Sequence, residues 1–190
     1  MNDFENDISA CIKVLQSGGL ILYPTDTIWG IGCDATNEEA VAKIYDLKKR
    51  PEEKSMIILV ADEKDILQYV ASPDLRLFEY LDKTVKPTTV IYNNVIGIAR
   101  NAVNKDGTVA IRICRDEFCQ HLIKRFRRPV ISTSANISGA PAPQLFSGIS
   151  EEIKSGVDYI VKHKQADNKI NSPSSIIKWN KDGTVAVLRP

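Results

Sequence analysis

Hydrophobic positions along the chain alternate between a helical spacing and short continuous runs. A helix is predicted over residues 7–17, where one face collects Ile8, Cys11, Ile12 and Leu15. Residues 20–23 are all apolar, which is typical of a strand covered on both faces. Further helices are predicted over residues 36–49, 63–70, 74–81, 116–126 and 150–155, and further strands over residues 56–61, 85–92, 108–114, 129–131, 159–161, 175–179 and 184–188. This alternation predicts an α/β fold, with a terminal hairpin that makes part of the sheet antiparallel.

Two local patterns qualify these elements. Thr36 and Glu39 have the spacing of a capping box, which places the start of the second helix. Residues 28–32, Ile-Trp-Gly-Ile-Gly, leave the backbone open beside a large ring, so a ligand could approach the main chain there. An ordinary β-turn-β unit with Trp29 in the core is slightly favoured by these residues alone.

Composition narrows the class of protein. The 190 residues predict a single domain, residues 1–190. The 25 Lys and Arg nearly cancel the 24 Asp and Glu, so any RNA contact must be local. Four cysteines without CxxC spacing are expected to be reduced, mostly buried thiols, and with only two histidines no metal site is predicted. The sequence shows neither a signal-peptide core nor an apolar run of membrane-spanning length, so we expect a soluble, cytoplasmic protein.

Short polar groups concentrate at residues 129–141, Pro-Val-Ile-Ser-Thr-Ser-Ala-Asn-Ile-Ser-Gly-Ala-Pro. We interpret residues 129–131 as the end of a buried strand, after which hydroxyls, an amide and backbone N–H groups are offered to an anion or a nucleotide. A turn in which Ser and Asn bond their own backbone accounts for this stretch equally well.

Positive charge accumulates at two further places. Lys48, Lys49 and Arg50 end a predicted helix, where cations complement the helix dipole but could also face phosphate oxygens. Arg112 interrupts an otherwise apolar strand. A guanidinium there points either to the solvent face of an edge strand or into a site with an anionic partner.

Two segments resemble each other: residues 105–112, KDGTVAIR, and residues 181–189, KDGTVAVLR. The arginine follows its glycine by five residues in one and six in the other, so the two guanidinium groups are predicted to lie on opposite faces of similar strands. Residues 164–172 have almost no apolar content and predict a mobile surface loop that could act as a lid.

Six motifs together resemble the YrdC-like family of threonylcarbamoyl-AMP synthases. They are YPTDTIWGIG at 23–32, LKKRP at 47–51, VAIRIC at 109–114, ISTSANISG at 131–139, PSSIIKW at 173–179 and VLRP at 187–190. The resemblance spans nearly the whole chain and implies the short, single-domain form. It also implies a twisted, open, mixed β-sheet flanked by helices, with a large positively charged concave face.

The resemblance further implies a nucleotidyltransferase that converts L-threonine, bicarbonate and ATP into L-threonylcarbamoyl-adenylate and pyrophosphate. This product leads to N6-threonylcarbamoyladenosine in tRNA, so tRNA or double-stranded RNA and a downstream threonylcarbamoyl transferase machinery are expected partners. Magnesium is expected to be carried by the ATP phosphates rather than by the protein.

The same resemblance assigns roles to residues. Catalytic roles, in neutralising the triphosphate and holding the nucleotide, fall to Lys48, Arg50, Ser134 and Asn136. Threonine and adenylate binding fall to Thr25, Arg112, Ser132 and Ser175. The nucleotide is also expected to contact Arg189.

This sequence departs from the family pattern at residues 85–90. VKPTTV stands where PGPxT is usual, so Lys86 replaces a glycine, and its ammonium could either strengthen phosphate binding or block backbone approach. Ser55-Met56 stands where Pro-Leu is more usual, and Lys54 where an Asn is often found, which leaves the nearby ATP contacts open. The departure from PGPxT leaves an alternative open: an RNA-binding or ribosome-associated paralogue with the fold but without synthase activity.

Overall fold

One mixed sheet organises residues 4–51 and 56–190, the part of the chain that the computed structural model describes. Lys54 and Ser55 lie outside it. Within these residues the strands are β1 (Ile21–Tyr23), β2 (Gly30–Gly32), β3 (Ile57–Val60), β4 (Thr88–Tyr92), β5 (Val109–Ile113), β6 (Val130–Ser134), β7 (Tyr159–Ile160), β8 (Ser175–Trp179) and β9 (Val185–Arg189). The α-helices of the same residues are α1 (Glu5–Gln16), α2 (Glu38–Lys48), α3 (Glu63–Tyr69), α4 (Arg76–Asp82), α5 (Glu117–Phe126) and α6 (Glu151–Ser155).

The strand order in the described residues is β7-β1-β2-β6-β3-β5-β4-β8-β9. Parallel pairing joins β1 to β7, β3 to β5 and β4 to β8, and the other neighbours pair antiparallel. The predicted α/β fold with an open mixed sheet is confirmed, and antiparallel pairing extends well beyond the terminal hairpin.

The core lies on the face of the sheet that packs against helices. Ile58, Ile111 and Ile131 on the central strands are at most 1% exposed. Helices α1 and α5 pack against each other, and the Phe4 and Phe118 rings meet edge to face with centroids 5.7 Å apart. Because side chains alternate along a strand, every second residue of the central strands points to the opposite face.

Two local predictions were wrong. Helix α2 is capped by Asn37, whose side chain accepts a 3.1 Å hydrogen bond from the Ala40 N–H, because the Thr36 hydroxyl is already bonded to Asp34 Oδ1 at 2.7 Å. Strand β6 does not end at Ile131. It continues through Ser134, because Ser132 pairs with Ile57 on one side and Ser134 with Gly30 on the other.

The cysteine prediction is confirmed, since Cys11, Cys33, Cys114 and Cys119 are all free thiols and all fully buried. Desolvation raises the pKa of the Cys11, Cys33 and Cys119 thiols. In residues 4–51 and 56–190, no helix has the length and apolar character needed to cross a membrane.

Candidate active site

A cavity of about 320 Å³ opens on the sheet face whose side chains alternate with those of the core. We call it the arginine cavity, after the three guanidinium groups in its wall. Seven strands contribute to that wall, through Gly30 of β2, Ile57 of β3, Ile91 of β4, Ala110 and Arg112 of β5, Ser132 and Ser134 of β6, Ile176 of β8 and Arg189 of β9. The rest comes from connecting segments, including Thr27, Trp29, Arg50 and Ser174.

Arg112 lies at the floor of the arginine cavity and is only 3% exposed. Its Nη2 is 3.0 Å from Asp26 Oδ1 and donates a 3.3 Å hydrogen bond to the Thr27 hydroxyl. Strand β5 is interior to the sheet, so the solvent-facing alternative for Arg112 is wrong. The guanidinium points into a site with an anionic partner, Asp26, and its Nε is buried without a hydrogen-bond partner among the described residues.

Arg189 reaches the same cavity from the edge strand β9. Val187 pairs with Ile177 and Arg189 with Ile176, so Leu188 is an extra residue on β9 and the register shifts at this bulge. The prediction that Arg112 and Arg189 lie on opposite faces was therefore wrong, because the bulge compensates for the additional residue. Arg189 donates from Nε to the Ser174 carbonyl at 3.0 Å, and burial together with the nearby Arg112 lowers its pKa.

Arg50 is the third arginine in the wall, and Lys48 is not part of that wall. Lys48 is 1% exposed, and its Nζ donates to the carbonyl oxygens of Ser134 and, at 2.6 Å, of Asn136. Burial and the positive charge of Arg50 lower the pKa of Lys48 to about 8. Burial likewise lowers the pKa of Arg50. The two members of the predicted Lys-x-Arg pair are thus placed differently: one guanidinium lines the cavity, and one ammonium lies behind its wall.

Three consecutive hydroxyl-bearing residues of β6 lie in the wall of the same cavity as the three arginines. Ser132, Thr133 and Ser134 all line the arginine cavity, so this part of the predicted polar stretch belongs to the site. Opposite them, β2 carries Gly30, where an added Cβ would lie 2.9 Å from Ser132 Oγ. A side chain at this position would have to displace the Ser132 hydroxyl, and its Cβ would also lie 3.3 Å from the Thr133 carbonyl oxygen.

Asn136 has a different place from Ser134. Its Nδ2 donates to the carbonyl oxygens of Ile137 at 3.0 Å and Ala140 at 2.6 Å, which is the local turn bonding considered for this stretch. Its Oδ1 is buried without a hydrogen-bond partner in the described structure. Asn136 does not line the arginine cavity, although it lies two residues from Ser134, which does.

Two predicted residues have neighbours that line the arginine cavity in their place. The Thr25 hydroxyl is bonded to the Ile28 carbonyl at 2.8 Å and to the Thr27 hydroxyl at 3.0 Å, so it holds the turn while Thr27 lines the cavity. Ser175 alternates with Ile176 along β8, and the lining residues on either side of it are Ser174 and Ile176. Strand alternation was the signal that could have identified Ser174, once the cavity face of β8 was known.

A second cavity of about 530 Å³ adjoins the first and shares Thr27, Ile28 and Trp29 with it. Thr25 and Asp26 line it on one side, and Lys164, Asp167, Lys169 and Asn171 line it on the other. The predicted lid segment therefore forms a wall here, and the Lys164 ammonium is bonded to Asp116. Whether this segment moves stays a prediction. Lys86 lines neither of these two cavities, whereas its neighbours Val85 and Pro87 line the second.

Comparisons with known proteins agree with this outline. The family model described as telomere recombination, which covers the Sua5, YciO and YrdC proteins, matches residues 13–190. The chain is 30% identical over 180 residues to the threonylcarbamoyl-AMP synthase of Vibrio campbellii, with 93% of this chain and 94% of that protein covered. It is 34% identical over 141 residues to the threonylcarbamoyl-AMP synthase of Saccharophagus degradans, covering 71% of each.

Two solved structures share the fold. The chain matches P. abyssi Sua5 in complex with L-threonine with a TM-score of 0.85 and 25% identity, covering 98% of this chain and 54% of that one, so it spans about half of that Sua5 chain. It matches E. coli YciO with a TM-score of 0.83 and 21% identity over 99% of this chain and 90% of that one, a likeness that shows the fold alone. The resemblance read from the six motifs is confirmed: this chain belongs to the Sua5, YciO and YrdC family.

Proposed function

We propose that the chain is an L-threonylcarbamoyladenylate synthase, which uses L-threonine, bicarbonate and ATP. The observation that carries the proposal is the convergence of Arg50, Arg112 and Arg189 on one cavity, in a chain of this family. Guanidinium groups suit phosphate oxygens because their planar donors match two oxygens at once. Relatives named threonylcarbamoyl-AMP synthase cover most of this chain, which supports the same reaction here.

The proposed reaction has two steps. The threonine amine attacks bicarbonate, a C–N bond forms and water leaves, which gives a carbamate. A carbamate oxygen then attacks the α-phosphorus of ATP, and the bond to the β-phosphate oxygen breaks to release pyrophosphate. Such a transfer depends on positioning and on charge stabilisation rather than on a covalent protein intermediate.

The arginines are proposed to stabilise the charge of the triphosphate and of the leaving pyrophosphate. Arg112 is held by Asp26 and Thr27, so its orientation is set before substrate binds. Arg50 and Arg189 are more exposed than Arg112 and can adjust to the phosphates. The β6 hydroxyls of Ser132 and Ser134 are proposed to bond threonine and nucleotide oxygens, and Thr27 and Ser174 are added to the predicted set.

The remaining predicted residues have proposed roles that act through their neighbours. Thr27 and Ser174 line the arginine cavity, whereas Thr25 and Ser175 do not. Thr25 and Ser175 are therefore proposed to position the backbone that carries Thr27 and Ser174, and to affect substrate binding in that way. Asn136 is proposed to shape the segment that follows Ser134 and, through that segment, to contact the nucleotide.

The proposed reaction also implies a metal ion, a downstream enzyme and a cellular location. Mg²⁺ is proposed to enter with the ATP phosphates, because it keeps several waters and bridges phosphate oxygens readily. We propose that the product passes to a threonylcarbamoyl transferase acting on tRNA, and that the protein works in the cytoplasm. A positively charged concave face would favour contact with tRNA.

The direct test is pyrophosphate release from ATP, bicarbonate and L-threonine. We expect release that depends on threonine, and we expect Arg50→Ala to lower its rate by roughly 100-fold or more, as removal of one preorganised charge donor does elsewhere. Arg100→Ala is the matched control, because the Arg100 side chain is 94% exposed and pairs only loosely with Glu38 at 3.8 Å. Threonine-independent release, or none, would exclude the synthase.

The same preparation tests the alternative of a paralogue without synthase activity. RNA retention that is lost in Arg50→Ala, together with undetectable ATP binding by calorimetry, would support an RNA-binding protein. ATP binding with threonine-dependent turnover would exclude that alternative, whether or not RNA also binds.

A further inference from the structure

The buried ammonium of Lys48 connects the end of α2 to the segment that follows Ser134. We call residues 134–140 the β6 exit segment. Lys48 Nζ donates to two of its carbonyl oxygens, those of Ser134 and Asn136, and the Lys48 carbonyl accepts a 2.8 Å hydrogen bond from the Ser138 N–H. The side chain and the main chain of one residue thus hold both halves of this segment.

The position of Lys48 argues against a direct contact with phosphate. The side chain is 1% exposed and is not part of the wall of the arginine cavity, although Arg50, two residues later, is. An ammonium carries three donors, and two of them are already directed at protein carbonyls. The Ser134 carbonyl also accepts from the Asn136 N–H at 2.9 Å, but turning the ammonium toward substrate would still give up its bonds to both carbonyls, so substrate would have to compete with well-placed acceptors.

The β6 exit segment needs an external anchor. Its first residue, Ser134, lines the arginine cavity, and Ala135 is bonded to the Trp29 carbonyl at 3.2 Å. Beyond that point the segment bonds mainly to itself, through Asn136 Nδ2 to the Ile137 and Ala140 carbonyls. A self-bonded turn fixes its own shape but not its place relative to the cavity.

We propose that Lys48 is a positioning residue, which fixes the β6 exit segment against the arginine cavity and does not bind phosphate itself. The proposal rests on the proposed function for its kinetic part only. The proposal gives the two residues of the Lys-x-Arg pair different roles. Arg50 contacts the ligand, and Lys48 positions the β6 exit segment, whose first residue, Ser134, lines the same cavity.

The first test measures amide hydrogen exchange of residues 135–140 in the protein without substrate. Lys48→Met keeps the length of the side chain and removes the donors, and we expect exchange in this segment to become about tenfold faster or more. Lys49→Met is the matched control, because Lys49 is the next residue and its ammonium pairs with Glu152 on the surface. The proposal predicts no change in the segment for Lys49→Met, and equal exchange in wild type and Lys48→Met would overturn it.

Kinetics separate positioning from a general loss of structure. We expect Lys48→Met to lower kcat by about tenfold or more while the Kd for inorganic pyrophosphate changes less than about threefold, since the three arginines remain. Lys48→Arg, which keeps donors for both carbonyls, should recover part of kcat. A tenfold weaker Kd for pyrophosphate with unchanged amide exchange would instead assign Lys48 to phosphate.

A measurement on the unmodified chain covers the case in which Lys48→Met does not fold. The ¹⁵Nζ resonance of Lys48 is expected to show slowly exchanging protons without ligand and to keep its position when pyrophosphate is added. A shift on addition would overturn the proposal. Neither amide hydrogen exchange nor the ¹⁵Nζ measurement requires catalytic turnover. If the chain lacked synthase activity, the proposed function would be refuted, and these two measurements would still decide whether Lys48 is a positioning residue.

Discussion

Residues 104–112 and residues 180–189 form the same turn, and each turn leads into a strand that carries an arginine. The two segments differ in how the strand places its arginine in the cavity. We call them the two turn-strand segments. In the first turn Asp106 Oδ1 accepts from the Thr108 N–H at 3.0 Å and hydroxyl at 2.7 Å. In the second, Asp182 Oδ1 accepts from the Thr184 N–H at 2.9 Å and hydroxyl at 2.7 Å. The Asp-Gly-Thr sequence therefore determines the turn at both sites, independently of the strand that each turn leads into.

The strands of the two turn-strand segments, β5 and β9, differ in their position in the sheet. Among the described residues, strand β5 lies between β3 and β4, whereas β9 has a neighbour on one side only. An edge strand can accommodate an extra residue as a bulge, which an interior strand does only by disturbing two ladders. Leu188 is that extra residue, and it returns Arg189 to the cavity face. The local pattern thus determines the turn, and the position in the sheet determines where the arginine points.

The largest expected difference between the two turn-strand segments is in how much their arginines contribute to the free energy of unfolding. Arg112→Ala leaves the Asp26 carboxylate, with a side chain 10% exposed, without its charge partner. We expect a loss of about 3–5 kcal/mol in the free energy of unfolding, measured by urea denaturation. Arg189→Ala removes hydrogen bonds to neutral groups of Ser174 and should cost only about 1 kcal/mol.

The double variant Asp26→Leu with Arg112→Met is the control for this interpretation. Replacing both charges by apolar side chains removes the unpaired carboxylate, so most of the lost stability should return. Equal costs for Arg112→Ala and Arg189→Ala would contradict the distinction between a buried ion pair and an edge contact.

The bulge itself can be removed. Deletion of Leu188 restores regular alternation on β9, so the arginine should still pair with Ile176 on the cavity face, and the KM for ATP should change less than about threefold rather than rise about tenfold as expected for Arg189→Ala. Leu188→Ala is the control, because that side chain is 61% exposed and its truncation leaves the register alone. A rise of about tenfold in KM after the deletion would show that pairing with Ile176 is not enough to keep the arginine on the cavity face.

Sequence patterns predicted the elements well because each depends on local periodicity and caps. The α/β class, the positions of the strands and the burial of the thiols needed no tertiary information. The features that the patterns missed depend on neighbouring strands. Strand β6 was predicted too short because Ser132 and Ser134 resemble loop residues until Ile57 and Gly30 are seen to pair with them.

The candidate site shows the same limit at the level of single residues. Arg50, Arg112, Ser132, Ser134 and Arg189 were all predicted and all line the arginine cavity. Motif matching cannot tell which of two residues one or two positions apart faces a cavity, so Thr25 and Ser175 were chosen where Thr27 and Ser174 are the lining residues. The burial of Lys48 was equally hidden, because a lysine at a helix end is ordinarily solvated.

The smallest expected effect tests whether the two turns are equivalent. Hydrogen bonds from Thr108 and Thr184 lower the pKa of Asp106 and of Asp182. Since each folded pKa lies below the unfolded value of about 4, the carboxylates contribute stability above that pH and lose it as the pH falls through the lowered pKa. Asp106→Ala and Asp182→Ala should therefore shift the urea midpoint at pH 7 by similar small amounts, and both differences from wild type should narrow toward pH 2. Asp82→Ala, at an exposed helix end outside both turns, is the control. A clear loss in one turn variant and none in the other would mean that the surrounding sheet, rather than the Asp-Gly-Thr sequence, sets the strength of these turns.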